Sequence, residues 1–302
     1  MNPNQVVTGV YSAASTPLTE SGDPDLGLFT RHCRRLLDEG CHGVALLGTT
    51  GEANSFSQGE RRTVLESALA ADISPDRLMP GTGLAAIPDT VALTRHALSV
   101  GVTRVVMLPP FYYKGVSDEG LFAAYSQIIE KIADNRLRII LYHIPQVSGI
   151  PLSIPLISRL AKAFPEIVVG IKDSAGELAN MQAILAELPN FSVLAGADPL
   201  LLPLLKAGGA GCITATSNLV ADSLRVVFDH VADPAKLAEV EAAQARINAY
   251  RTLSNSYVQI PTIKGMIALK TGEDAWFRTR APLISLNASE RAELTTKFTA
   301  LN

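Results

Sequence analysis

A chain of 302 residues with 47% hydrophobic and 18% charged residues has enough apolar material for a large core, and its length suits one α/β barrel with an appendage. The formal net charge of -3 argues against a nucleic-acid binder, which carries a basic surplus. No uncharged apolar run is long enough to span a bilayer, and MNPNQVVTGV lacks the basic start and apolar core of a signal peptide, so a cytoplasmic protein is expected.

Strand-like and helix-like runs alternate from the start. VVTGVYSAAS from Val6 precedes the amphipathic LGLFTRHCRRLLDEG, whose final Gly40 sits where a helix C-terminus belongs. GVALLG from Gly43 follows. Ser57 and Glu60 then have the spacing of a capping box opening the helix of RRTVLESALAA. RLMPGTG from Arg77 reads as a third strand, and Gly101 marks the next helix end before RVVMLPP from Arg104. RIILYHIP from Arg138, the helical LISRLAKAFP, IVVGIKD from Ile167, FSVLAGAD from Phe191 and GCITATS from Gly211 continue the pattern. Eight strand–helix units predict parallel strands with helical crossovers, and eight strands close a (β/α)8 TIM barrel. A doubly wound open sheet is the alternative; the lack of GxGxxG after the first strand disfavours its dinucleotide-binding form. After Asp233 only helical patterns remain, so a catalytic barrel over residues 1–233 and a C-terminal helical region over 234–302 are expected.

A barrel of this kind places its chemistry at the C-terminal ends of the strands. That rule selects Thr49 and Thr50, Tyr112 and Tyr113, Tyr142, Lys172, Gly196 and Asp198, and Thr214 and Thr216. Lys172 is the most informative. If Val168 and Gly170 point into the barrel, strand alternation points Lys172 inward too. An ammonium held there is poorly solvated, which favours the neutral amine, a nucleophile toward carbonyls. A lysine paired with a carboxylate, or one binding a substrate phosphate, fits the same position. Tyr142, on the neighbouring strand at nearly the same height, could shuttle protons or be an ordinary interior tyrosine. The turn Gly48–Glu52, GTTGE, offers hydroxyls and amides able to hold a carboxylate, or is simply a tight connection; Glu52 is read as bracing it.

Together, GTTGE at Gly48, YHIPQVSG at Tyr142, GIKDSAGE at Gly170 and GAD at Gly196 resemble the dihydrodipicolinate synthase and N-acetylneuraminate lyase family of Schiff-base (class I) aldolases. The resemblance covers nearly the whole chain, including QIPTIKGMIALKTG in the tail. It implies a (β/α)8 barrel, a tetramer built from dimers, pyruvate or another 2-oxo acid with an aldehyde as substrates, and no cofactor or metal. It implies Lys172 as the imine lysine, Tyr142 as the proton-transfer residue, and Thr50 and Tyr113 as the rest of the relay, Tyr113 reaching into a partner subunit's site. Thr49, Thr50, Gly51, Gly196, Asp198 and Ile213 become the substrate-binding set. Some positions depart from the pattern. Val147 stands where lysine-pathway synthases carry an arginine for a substrate carboxylate, and valine cannot replace that clamp. Pro199 and Ala215 stand where the sialic acid lyases have a glutamate and a serine. The resemblance therefore points to a retro-aldolase or a dehydratase for another 2-oxo acid, such as a deoxy sugar acid.

Other classes make weaker fits. A metal-dependent aldolase needs clustered ligands, yet His32, His42, His96, His143 and His230 form no HxH or HxxxH pair. A glycosidase would need facing carboxylates such as Glu52 and Asp198, and Asp173 should point away from Lys172. A non-catalytic binding barrel would have no use for an amine nucleophile. Cys33, Cys41 and Cys212 read as reduced thiols with no CxxC spacing.

Overall fold

Strands and helices alternate in the computed structural model, which describes residues 4–301; residues 1–3 and 302, where the expected division of the chain begins and ends, lie outside it. In chain order the elements are β1 (Gly9–Ala13), α1 (Leu26–Asp38), β2 (Gly43–Ala45), α2 (Gln58–Ala70), α3 (Ile87–Ser99), β3 (Arg104–Met107) and α4 (Asp118–Ile132). Then come β4 (Arg138–His143), α5 (Pro145–Ser148), α6 (Ile154–Ala163), β5 (Val168–Asp173), α7 (Leu178–Glu187), β6 (Ser192–Ala195), α8 (Leu201–Lys206) and β7 (Gly211–Thr214). Helices α9 (Ser217–His230), α10 (Leu237–Ser254), α11 (Gln259–Thr271) and α12 (Ala288–Thr299) close the chain. Seven parallel strands with helical crossovers make an α/β barrel architecture, and α10–α12 form the expected helical extension. None of the helices among the described residues is long and apolar enough to cross a membrane.

Two compact units divide the chain. One comprises residues 4–9 and 74–213, the other residues 10–73 and 214–301. In the first unit the strands lie in the order β7-β6-β5-β4-β3. Every residue of β5 is buried, as strands covered on both faces require. The third strand expected, at RLMPGTG, is reduced to a single parallel bridge, Gly81 to Val106. The Thr82 amide donates to the Val106 carbonyl and the Val106 amide to the Pro80 carbonyl, each at 3.0 Å. Pro80 has no N–H to extend the ladder. At Gly83 a side chain would strike the Leu108 backbone, its Cβ lying 2.4 Å from the Leu108 nitrogen. Helix α6 is capped by Ser153, whose hydroxyl accepts from the Leu156 amide, and it buries Leu156, Ile157, Leu160 and Ala161 at helical spacing.

In the second unit β1 pairs with β2, Tyr11 opposite Gly43 and Ala13 opposite Ala45. The capping box is present: Ser57 Oγ accepts from the Glu60 amide at 3.2 Å and Glu60 Oε2 from the Ser57 amide at 2.7 Å. Helix α10 buries Val240, Gln244, Ile247, Tyr250 and Leu253, a stripe at intervals of three and four, and leaves its other face wet. Helix α11 differs, with Pro261 through Ala268 buried without a break. A helix covered all round offers its charged side chains no water, which bears on Lys264.

Candidate active site

The geometry around Lys172 follows from strand register. Strands β4 and β5 run parallel with Tyr142 opposite Lys172 and His143 opposite Asp173. Directly opposed residues project to the same face of a sheet, and the next pair to the other. The Lys172 amine accordingly lies over the Tyr142 ring, 4.2 Å from its centroid. Both side chains are buried, Lys172 at 5% exposure and Tyr142 at 4%. Among the described residues no carboxylate is bonded to the Lys172 amine. Gly170, two residues earlier on the same face, makes room for this arrangement: a Cβ there would lie 2.5 Å from the Ser192 carbonyl oxygen and 2.9 Å from Ile140 Cδ1.

The opposite face of the same strand pair carries no such amine. Asp173, fully buried, accepts from the Ala175 amide at 2.9 Å and from Asn180 Nδ2 at 2.7 Å, facing away from Lys172 as alternation requires. His143 Nδ1 accepts from the Leu152 amide at 3.1 Å. Burial holds the His143 pKa below the ordinary value against the opposing pull of Asp173 and Glu177.

Gly196 and Asp198 follow β6. The Gly196 amide donates to the Asp173 carbonyl at 2.7 Å, and a Cβ at Gly196 would collide with Ser174, 1.9 Å from its Oγ. Only glycine allows the chain leaving β6 to pack that closely on the exit of β5. Asp198 is fully buried at the start of a short 3-10 turn, Asp198–Leu200, and Ile213 is buried near the end of β7. Ser174 was not singled out by the sequence, although it lies two residues past Lys172. Its buried hydroxyl has no hydrogen-bond partner among the described residues, while its carbonyl accepts from Gln146 Nε2 at 2.7 Å. Alternation beyond the strand end is the one signal that could have found it. Tyr113 is 75% exposed, and its ring meets that of Tyr112 edge-on, with centroids 5.3 Å apart. Val147, in α5, is 62% exposed.

The second unit holds the GTTGE turn. The Glu52 amide donates to the Thr49 carbonyl at 3.1 Å and the Ala53 amide to the Gly48 carbonyl at 3.2 Å. Thr49 and Thr50 are half-buried. Gly51 is pressed against the scaffold: a Cβ would sit 2.8 Å from the Ala14 carbonyl oxygen, and its own carbonyl accepts from Thr16 Oγ1 at 2.9 Å. Glu52 has a left-handed backbone, φ 56, and its carboxylate meets the Lys264 ammonium at 2.5 Å with neither side chain exposed. The bracing expected of Glu52 is therefore real, and its partner comes from the tail. Among the described residues no group of three His, Cys, Asp or Glu side chains is arranged to hold a metal ion.

Comparison with known proteins covers nearly the whole chain. The model of the dihydrodipicolinate synthetase family matches residues 6–301. An uncharacterised DapA-like lyase of Chloroflexus aurantiacus is 35% identical over 289 residues, 95% of this chain and 94% of that protein. The 4-hydroxy-tetrahydrodipicolinate synthase of Methanopyrus kandleri is 33% identical over 226 residues, 74% of this chain and 73% of its own. The crystal structure of dihydrodipicolinate synthase from Agrobacterium tumefaciens superposes with a TM-score of 0.89 at 33% identity, covering 97% of this chain and 99% of the other.

Proposed function

Given that the chain belongs to the dihydrodipicolinate synthetase family, and is a lyase of that family, we propose that Lys172 forms a Schiff base with pyruvate or another 2-oxo acid. One observation carries the reading: a buried amine with no carboxylate bonded to it among the described residues, 4.2 Å from the ring of a buried tyrosine. A lysine kept for structure would be paired, because an unpaired buried ammonium is costly.

In its neutral form the Lys172 amine attacks the 2-oxo carbon, and water leaves to give the imine. The protonated imine is an electron sink. Tyr142 takes the proton from the 4-hydroxyl, the bond between carbons three and four breaks, and the aldehyde departs. Protonation of the remaining enamine and hydrolysis of the imine release pyruvate; the reverse direction is aldol addition. Thr49, Thr50 and Gly51 hold the substrate carboxylate, while Gly196, Asp198 and Ile213 line the aldehyde side. The 75% exposed Tyr113 reaches from a second copy of the chain to complete the relay with Thr50 and Tyr142, in a cytoplasmic homotetramer.

The aldehyde is best sought among hydroxylated ones. Val147 brings no charge to the position of the carboxylate-binding arginine, and the unpartnered Ser174 hydroxyl can bond to a substrate hydroxyl. A 2-oxo-3-deoxy sugar acid, cleaved or dehydrated, fits this chemistry. Synthesis of 4-hydroxy-tetrahydrodipicolinate is the second reading, favoured by the Methanopyrus relative. The primary test is borohydride reduction in the presence of pyruvate, followed by peptide mass analysis. An adduct on Lys172 is expected; an adduct elsewhere, or none, rejects the mechanism. Pyruvate release from sugar acids, measured beside condensation with aspartate semialdehyde, decides between the two substrate classes.

A further inference from the structure

We propose that Lys264, in the helical extension, is a positioning residue for the Thr49–Thr50 turn and acts through the Glu52 carboxylate; this rests on the carboxylate-binding role given to that turn above. The Glu52 carboxylate is fully buried and is held by donors from the tail. Lys264 Nζ reaches Oε1 at 2.5 Å, and the Arg280 backbone amide reaches Oε2 at 3.1 Å. Both donors lie more than two hundred residues away in sequence, at separations of 212 and 228.

The coupling from Glu52 to the threonines is short. The Glu52 amide closes the turn on the Thr49 carbonyl, so Thr50 and Gly51 lie inside a loop whose end is anchored by the ion pair. The left-handed backbone of Glu52 is one that a side-chain-bearing residue leaves readily unless it is held. Arg280 clamps the following segment: its guanidinium donates to the Ser55 carbonyl at 2.8 Å, to the Gly22 carbonyl at 2.5 Å and to Glu60 Oε1 at 2.6 Å, and it stacks over the Phe56 ring at 4.5 Å. An ion pair this dry is weak evidence of stabilisation for its own sake, since apolar replacements often serve stability as well. What an apolar pair cannot do is fix two carboxylate oxygens between two defined donors. The direction and register of the turn depend on that fixing.

Borohydride trapping at Lys172 over a series of pyruvate concentrations separates affinity from reactivity. In Lys264→Met, and in the pair Glu52→Gln with Lys264→Met, the half-saturating pyruvate concentration is expected to rise about fivefold or more while the adduct yield at saturation stays the same. The paired variant removes both charges together and carries the test if Lys264→Met alone does not fold. A folded paired variant with reduced thermal stability and wild-type half-saturation would overturn the proposal, because a purely structural role moves only the first quantity. Thr50→Ala serves as the reference. If it raises half-saturation and the paired variant does not, the role of the turn stands and that of Lys264 falls. If Thr50→Ala leaves half-saturation unchanged, the carboxylate-binding reading itself fails, and the role of Lys264 with it.

Discussion

Two buried lysines, one in each compact unit, are treated in opposite ways. Lys172 ends β5 at 5% exposure with an aromatic ring beside its amine and, among the described residues, no carboxylate bonded to it. Lys264 lies in the fully covered stretch of α11 at 0% exposure with the Glu52 carboxylate 2.5 Å away. Burial pushes the Lys264 pKa down while Glu52 pushes it up, and the hydrogen-bonded pair leaves the nitrogen no free lone pair with which to attack a carbonyl. Lys172 has instead the Tyr142 ring, which attracts a cation only weakly. The difference lies in the partner, since residue type and degree of burial are nearly the same.

Removing the unpaired amine is the harshest test of the contrast. Lys172→Ala is expected to abolish both the borohydride adduct and measurable turnover while the protein stays folded, checked by mass analysis and circular dichroism; surviving turnover would end the distinction. Tyr142→Phe keeps the ring beside the amine and removes only the hydroxyl. Turnover is expected to fall by about 10²–10⁴-fold with the adduct still detectable. Near-normal rates would leave Tyr142 as packing.

The paired lysine should answer in stability. Lys264→Met strands the Glu52 carboxylate in a dry site, at a cost of about 3–5 kcal/mol in urea unfolding, and adding Glu52→Gln should recover a large part. An equal loss in both variants would show that the lysine matters as volume and not as charge. A third buried ionisable group sharpens the picture. His32 bonds to Asn218 Oδ1 at 2.8 Å, and burial first, then the charge of Arg35, lowers its pKa to about 3. The unfolded chain then binds the proton more tightly than the folded one. The stabilising contribution of the neutral ring is whole above about pH 6.5 and is lost as pH falls toward about 3. The slope is up to roughly 1.4 kcal/mol per pH unit over that window. His32→Gln should flatten the acid limb of stability measured by urea melts between pH 7 and pH 4, an effect that is absent near pH 7 and grows as pH falls.

Much of this was legible before any coordinates, for physical reasons that differ from element to element. Strand alternation placed Lys172 and Tyr142 on one face and Asp173 and His143 on the other, because a two-residue period leaves no third choice. The capping box at Ser57 and Glu60 was legible because it is a purely local exchange of two hydrogen bonds. RLMPGTG misled: its apolar start suggests a strand, yet Pro80 and the close backbone contact at Gly83 cut the pairing to one bridge. Ser174 was missed because its unpartnered hydroxyl is a property of its surroundings.

The sequence by itself determined the order of strands and helices, the helical tail and the shared face of Lys172 and Tyr142, since each depends on periodicity or spacing within a few residues. Tertiary structure alone decided which buried charge is neutralised. Glu52 meets Lys264 across 212 residues of chain, and no local pattern encodes that meeting. It arises because the turn and α11 fold together, and the Glu52 carboxylate and the Lys264 ammonium, taken out of water, replace it with each other and with the Arg280 amide.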